Sequence, residues 1–206
     1  GQTFTRLGKW WGRKPLILAK ACVLGCLLPA TGDDARDLAI FEMLMGMDAE
    51  SFAVRWKRAP KPKDILAKVA IARIEDYFVV RPAGVLPVAA PVDWSRPAYA
   101  RVKVAWRPDV PPLDRRRLLA QLLPDAPYRE WVEGSRRPEE MAPGVHDHIW
   151  DAVNDHLGTR AGSFPELVEQ LGTMRFGRRP HVADTFCGSG QLPFEAARLG
   201  CDVFPS

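Results

Sequence analysis

The stretch HVADTFCGSGQLPFEAARLGCDVF, residues 181–204, decides the predicted fold. It begins with a short apolar segment at 181–184 that predicts a β-strand, and a turn with two glycines follows. A helix is expected over about 192–199, where Gly200 is placed to end it. The letters CDVF then begin a second strand. This order of strand, glycine turn, helix and strand predicts an α/β protein and the opening of a doubly wound sheet.

The glycine turn restricts the ligands that this segment can bind. Gly188 and Gly190 permit a tight turn with positive φ, and amides at the start of a helix favour an anionic group. A dinucleotide fingerprint needs a third glycine where this chain has Pro193, and a P-loop needs a lysine that GQLP lacks. What remains is an acidic residue at the strand end, Asp184, followed by Phe-x-Gly-x-Gly.

The segment ADTFCGSG, residues 183–190, resembles the cofactor-binding motif of S-adenosylmethionine-dependent amino-methyltransferases of DNA, usually Asp-Pro-Phe-x-Gly-x-Gly. Thr185 stands here in place of the proline, which removes some rigidity but no cofactor contact. Together with GKWWGRKPLILAKACVLGCLLPA, residues 8–30, the closing segment is similar to the N-terminal region of large adenine-specific DNA methylases. Those proteins carry an N-terminal domain of unknown function, and some are labelled anti-phage-associated.

The resemblance implies a function for the chain. We expect the N-terminal part of an enzyme that methylates an exocyclic amino group of double-stranded DNA, with adenine as the expected base, flipped out of the duplex. Other proteins of a phage-defence system are possible partners. The implied S-adenosylmethionine site consists of Asp184, Phe186, Cys187, Gly188, Ser189 and Gly190, with Lys14 and Pro15 from a Lys-Pro segment that opens a helix.

No catalytic residue is assigned, because such enzymes use an Asp/Asn-Pro-Pro-aromatic loop that this sequence lacks. The chain begins with Gly and ends just after the second predicted strand, so we interpret it as a fragment that binds cofactor weakly or not at all and does not methylate DNA. Micromolar affinity in a calorimetric titration would contradict this expectation.

The N-terminal block RLGKWWGRKP, residues 6–15, combines basic and aromatic side chains. Lys9, Trp10, Trp11 and Arg13 are candidate contacts to nucleic acid, since cations can meet phosphates and indoles can stack on bases. The tryptophans could equally pack a helix against the sheet while the cations are solvated. Two further basic runs, RWKRAPKPK and DRRRLL, are interpreted as solvated faces.

Composition fits a globular protein: 47% of the residues are hydrophobic, 26% are charged, and the formal charge of +4 permits a polyanionic partner without requiring one. The four cysteines show no metal or disulfide spacing, which predicts reduced thiols and a cytoplasmic location. The apolar run at 16–28 is too short to span a bilayer and is interpreted as a buried helix, so no membrane partner is expected.

Two other constellations are interpreted without a catalytic or metal role. Cys187 has no base placed beside it by the sequence, so a nucleophilic thiol is disfavoured. The segment HDHIWDAVNDH places His148, Asp151 and Asp155 on one predicted helix face, but it lacks a zinc-protease spacing and is interpreted as a polar helix surface. No metal site is therefore predicted.

The predicted organisation has three parts. Residues 1–32 form a basic, aromatic segment and a core helix that packs on the methyltransferase sheet, residues 33–178 form a mainly helical insertion, and residues 179–206 begin the Rossmann-like domain. Seven prolines between Val79 and Pro112 indicate an extended stretch, with a small strand in YARVKVAW. Helices are expected from Pro15, Asp33 or Asp34, Ala49, Asp64 (to about Phe78), Leu113, Pro127, Val145 and a capping box of Ser163 and Glu166.

Other functions stay open at this level. The glycine turn alone is compatible with a structural turn or with generic nucleotide binding, and RNA or a small molecule could be the methyl acceptor. The alternative from another class is a non-catalytic helical module that binds DNA or a protein of a defence complex.

Overall fold

A computed structural model describes residues 16–123, 127–137, 144–185, 188 and 190–205. These residues form an α/β structure that is about half helical and contains two small sheets. The chain divides into two compact units: Gly1–Met47 together with Pro138–Ser206 forms unit 1, and Asp48–Arg137 forms unit 2.

Unit 1 combines helices with a parallel strand pair. Its elements are α1 (Leu16–Leu27), α2 (Asp34–Met45), α7 (Trp150–Leu157), α8 (Phe164–Phe176), β3 (His181–Asp184), α9 (Gln191–Arg198) and β4 (Asp202–Pro205). One hydrophobic core joins the five helices and both strands of this unit; its buried side chains include Leu24, Leu44, Ile149, Val153, Leu167, Val168 and Ala196.

The helix boundaries of unit 1 follow local capping chemistry. Asp33 accepts a hydrogen bond from the Arg36 amide (3.1 Å), and α2 ends at Gly46, whose φ is 67°. Ser163 accepts from the Glu166 amide (3.4 Å), but the Glu166 carboxylate accepts from the Gly162 amide instead of returning to Ser163. The predicted capping box is therefore half formed. The α7 helix begins at Trp150, five residues later than predicted, although the apolar stripe from Val145 is buried.

The strand, turn, helix and strand predicted for residues 181–204 are confirmed as elements. β3 and β4 are parallel and in register, with His181 opposite Asp202 and Asp184 opposite Pro205. Parallel strands need a crossover connection, and α9 supplies it.

Unit 2 is built around an antiparallel strand pair. Its elements are α3 (Ala49–Arg55), α4 (Pro62–Lys68), β1 (Phe78–Arg81), β2 (Lys103–Trp106), α5 (Pro112–Ala120) and α6 (Tyr128–Gly134), with short 3-10 turns at Ile74–Asp76 and Pro97–Tyr99. The predicted strand within YARVKVAW is β2, whose partner runs from Phe78 opposite Trp106 to Arg81 opposite Lys103.

The helix predicted over 64–78 is wrong beyond Lys68. Val69 has extended backbone angles, Ile71 forms a β-bridge with Ala90, and the Ile74 amide donates to the carbonyl of Val88 (2.8 Å). These β-branched side chains are buried in the core around the β1–β2 pair, and this long-range packing outweighs the local helical pattern.

No helix among residues 16–123, 127–137, 144–185 and 190–205 is both long and apolar enough to cross a membrane.

Candidate functional site

The candidate site is the turn between β3 and α9. Asp184 is the last residue of β3 and is half-buried. Gly188 and Gly190 have φ angles of 53° and 71°, in the left-handed region that side chains disfavour. The positive φ predicted for both glycines is confirmed. They bring the backbone from the end of a strand into the first turn of a helix within a few residues.

The start of α9 has unsatisfied hydrogen-bonding capacity. Gly190 is the residue before α9 and offers no side chain to cap its amides. In the first helical residue, Gln191, the side-chain oxygen is enclosed and accepts no hydrogen bond from any described residue. A buried acceptor without a donor costs about 1–3 kcal/mol, so a ligand that presents an N–H or O–H group here would offset that cost.

Three of the eight predicted cofactor residues lie within the described part of the chain. Asp184, Gly188 and Gly190 are brought together by the turn. The remaining residues, Phe186, Cys187, Ser189, Lys14 and Pro15, lie outside the described residues, as do the predicted nucleic-acid contacts Lys9, Trp10, Trp11 and Arg13. Their predicted roles stay predictions.

A groove of about 680 Å³ borders this turn on the α1 side, a volume typical of small-molecule sites. Ala183 of β3 and Leu192 of α9 form its wall nearest the turn, while Asp184, Gly188 and Gly190 are not among its described lining residues. The thiols of Cys22 and Cys26 are exposed on α1 along the same groove. The groove is mainly apolar, so it would suit an uncharged ring better than a charged group.

Two buried charged residues, Lys20 on α1 and Glu195 on α9, form a cluster that the sequence did not predict. Lys20 on α1 is only 7% exposed, with its ammonium 3.9 Å from the centre of the Phe164 ring and 3.5 Å from Nε2 of His146. Burial lowers the pKa of Lys20 to about 7; the nearby Glu195 charge opposes this shift and Arg198 adds to it. Glu195 is itself buried and lies 3.4 Å from the Arg198 guanidinium.

From sequence, Lys20 appeared only as an interruption of an apolar run. Its partner His146 lies 126 residues away along the chain, and Phe164 and Glu195 lie farther still, so no local pattern could reveal them. One signal was available: Glu195 lies next to Ala196, which is buried in the core. A carboxylate among core residues of a helix needs a cation or hydrogen-bond donor to pair with it.

The histidine-rich segment is engaged in helix contacts. His156 Nε2 lies 2.6 Å from Asp37 Oδ1 and 3.4 Å from Thr31 Oγ1, and Arg36 pairs with Asp155 (2.5 Å). A nucleophilic triad requires the hydroxyl and the carboxylate at opposite ring nitrogens, whereas both approach Nε2 here. The described part of the chain contains no group of three potential metal ligands.

Asp37 is the acidic centre of this contact between α2 and α7. Its pKa is lowered, first by the hydrogen bond from the Thr31 amide and then by the bond from His156. The arrangement therefore fastens the loop before α2 to α7, a structural role.

Comparison with known proteins gives one match. Residues 1–44 match the model of a family described as a protein of unknown function, DUF1156. No curated protein matches the chain, and no solved structure does. The matched segment includes α1 and most of α2, in agreement with the predicted N-terminal domain of unknown function.

Proposed function

We propose that this chain is the N-terminal part of an S-adenosylmethionine-dependent DNA methyltransferase that modifies the amino group of adenine and belongs to a phage-defence or restriction system. The observation that carries the proposal is the turn after β3, with Asp184 at the strand end and left-handed backbone at Gly188 and Gly190. In this proposal residues 179–206 begin a Rossmann-like domain.

The residues of the turn fit the polar groups of S-adenosylmethionine. Backbone amides at Gly190 and at the start of α9 favour its carboxylate, and Asp184 would accept from its ammonium group. The enclosed oxygen of Gln191 could accept from a ribose hydroxyl or the ammonium group. When bound, the cofactor supplies an activated methyl group; this chain's residues bind and orient it, and none is proposed to act on the base.

The second candidate is a non-catalytic helical module of a defence complex. It is favoured by the family match, because residues 1–44 lie outside the glycine turn and contain α1 and most of α2. Binding of duplex DNA that weakens as salt rises would support a nucleic-acid role for such a module. Absence of DNA binding at both low and high salt would favour a protein partner.

Binding of S-adenosylmethionine by ligand-observed NMR tests the primary proposal. We expect affinity weaker than micromolar in the wild-type chain and loss of the signal in Gly190→Val, because a β-branched side chain disfavours the left-handed turn.

Gly158→Val is the matched control. Gly158 has a similar φ of 66°, ends α7, and has no atom within 4 Å of an added Cβ. Both variants should lose about 1–2 kcal/mol of stability from backbone strain. Equal cofactor signals from wild type and Gly190→Val, or no signal from the wild type at millimolar cofactor, would refute the proposed site.

A further inference from the structure

Charge is distributed unequally between the two units. Residues 48–137 contain 18 lysines and arginines against 11 acidic residues, a formal charge of +7, whereas the rest of the chain contains 11 against 14, a charge of −3. The modest total of +4 hides this difference. Unit 2 is therefore the part of the chain suited to a polyanion, although the glycine turn lies in unit 1.

The β1–β2 pair exposes one of its faces. Phe78, Val80, Val104 and Trp106 point into the core of unit 2. Side chains alternate along a strand, so the intervening residues share the opposite face. This outward face consists of Val79, Arg81, Lys103 and Ala105, all of which are exposed.

Cations are concentrated at one end of this face. Arg81 is directly opposite Lys103 in the strand register, and the exposed Arg101 precedes Lys103 by two residues. Like charges in opposite positions destabilise an antiparallel pair. None of the three cations makes an ion pair or a side-chain hydrogen bond with another described residue.

Three other exposed cations of unit 2 are neutralised by acidic neighbours. Arg73, Arg96 and Arg117 are exposed and pair with acidic neighbours: Glu75 and Asp76, Asp93, and Asp114, respectively. Acidic groups thus compensate these arginines but not the cations of the outward face. A cluster of unpaired like charges on an exposed strand pair is electrostatically complementary to a polyanion.

We propose that the outward face of β1–β2 docks on the phosphate backbone of duplex DNA through Arg81, Arg101 and Lys103. A two-stranded antiparallel ribbon fits the major groove of B-DNA, which is about 12 Å wide. Arg81, Arg101 and Lys103 lie at one end of the ribbon, where they can reach the phosphates along one edge of such a groove.

This inference deepens the proposed function and rests on it for the choice of DNA as the polyanion. It assigns the DNA surface to Arg81, Arg101 and Lys103 of unit 2, and not to the N-terminal block or to the basic runs RWKRAPKPK and DRRRLL.

Salt-dependent binding of a duplex of about 20 base pairs, measured by fluorescence anisotropy without cofactor, tests the surface. The test variant carries Arg81→Gln, Arg101→Gln and Lys103→Gln. Its matched control carries Arg73→Gln, Arg96→Gln and Arg117→Gln, which remove the same formal charge from the same unit. Each lost phosphate contact should reduce the slope of log K against log salt by about 0.9, so the test variant should lose between 2 and 3 in slope and about a hundredfold in affinity at about 0.1 M salt.

The control should bind within about threefold of wild type, because its arginines are already paired. Equal losses in the two variants, undiminished binding in the test variant, or no salt-dependent DNA binding by the wild type would overturn the proposal. The single variant Lys103→Gln, with an expected slope loss of about 0.9, keeps the test valid if the triple variant does not fold. Failure of S-adenosylmethionine to bind, with the DNA result intact, would reject the methyltransferase function and leave the docking surface standing.

Discussion

The two small sheets differ in the way that each uses charge. Beside the β3–β4 pair two charged groups are buried, Glu195 on the crossover helix α9 and Lys20 on the neighbouring α1. In the β1–β2 pair Arg81 and Lys103 face outward, with no acidic partner among the described residues. The glycine turn and the cationic strand face therefore belong to separate compact units.

The largest effect is expected from filling the space at Gly200, between α9 and β4. Its φ is 101°, and an added Cβ would lie 2.7 Å from Cα of Pro165. Gly200→Ala combines backbone strain with overpacking against main-chain atoms, so we expect a loss of about 4 kcal/mol in the free energy of unfolding. Urea denaturation of the variant measures it.

Gly177→Ala is the control for this prediction, since Gly177 has a φ of 69° but no atom within 4 Å of an added Cβ. It should lose only about 1–2 kcal/mol. Similar losses in both variants would show that the contact between Gly200 and Pro165 adds no destabilisation.

The next effect is a pH dependence that arises from Lys20. Its pKa falls from 10.5 to about 7 on folding, so between these pH values the unfolded chain binds more protons than the folded one. The free energy of unfolding should therefore rise between pH 7 and pH 10, by about 3 kcal/mol from this group. Lys20→Met should lack that rise, whereas the exposed-site variant Lys61→Met should keep it. Parallel pH profiles for wild type and Lys20→Met would contradict the buried cluster.

A smaller effect of the same sign, but in the acid range, is expected at Asp37. The Thr31 amide and His156 lower the pKa of this carboxylate, so its contribution to stability is present at neutral pH and is lost as pH falls through the lowered pKa. Asp37→Asn should reduce the melting temperature at pH 7 and weaken the acid dependence. Asp34→Asn, on the same helix, is the control. An unchanged acid profile in Asp37→Asn would remove the proposed fastening of α2 to α7.

The smallest expected effect concerns the like-charge pair of Arg81 and Lys103 on the β1–β2 face. Lys103→Glu places an acid opposite Arg81 and replaces a like-charge pair with an opposite-charge pair. We expect a gain of about 0.5 kcal/mol in the stability of unit 2, together with weaker DNA binding than in Lys103→Gln. A variant that is destabilised, or one that binds DNA as tightly as the wild type, would argue against the unpaired cation cluster.

Local signals made part of this structure predictable. Asp33, Ser163 and the glycines at 188 and 190 act on backbone groups within three residues, so helix starts and the turn followed from sequence. The structure of the segment after Lys68 did not follow from the sequence, because Ile71 and Ile74 form backbone hydrogen bonds with residues 88–90, which are not local.

The glycine turn and the cation cluster differ in the same way, since one is local in the sequence and the other is formed by folding. The turn was found as a continuous motif, whereas the cation cluster requires the register that brings Arg81 opposite Lys103 across 21 intervening positions. The burial of Lys20 depends in the same way on Glu195 and His146, neither of which is near it in sequence. Sites formed by residues within one turn could be predicted from the sequence, whereas sites formed by long-range contacts could not.

The most direct test is a single series of ¹⁵N–¹H amide spectra of this chain, first with S-adenosylmethionine and then with duplex DNA. We predict that the cofactor shifts the amides of Gly188, Gly190 and Gln191, and that DNA shifts those of Arg81, Arg101 and Lys103. If millimolar cofactor leaves the turn unchanged, or if both ligands shift one common set of amides, the account of two separate sites is contradicted.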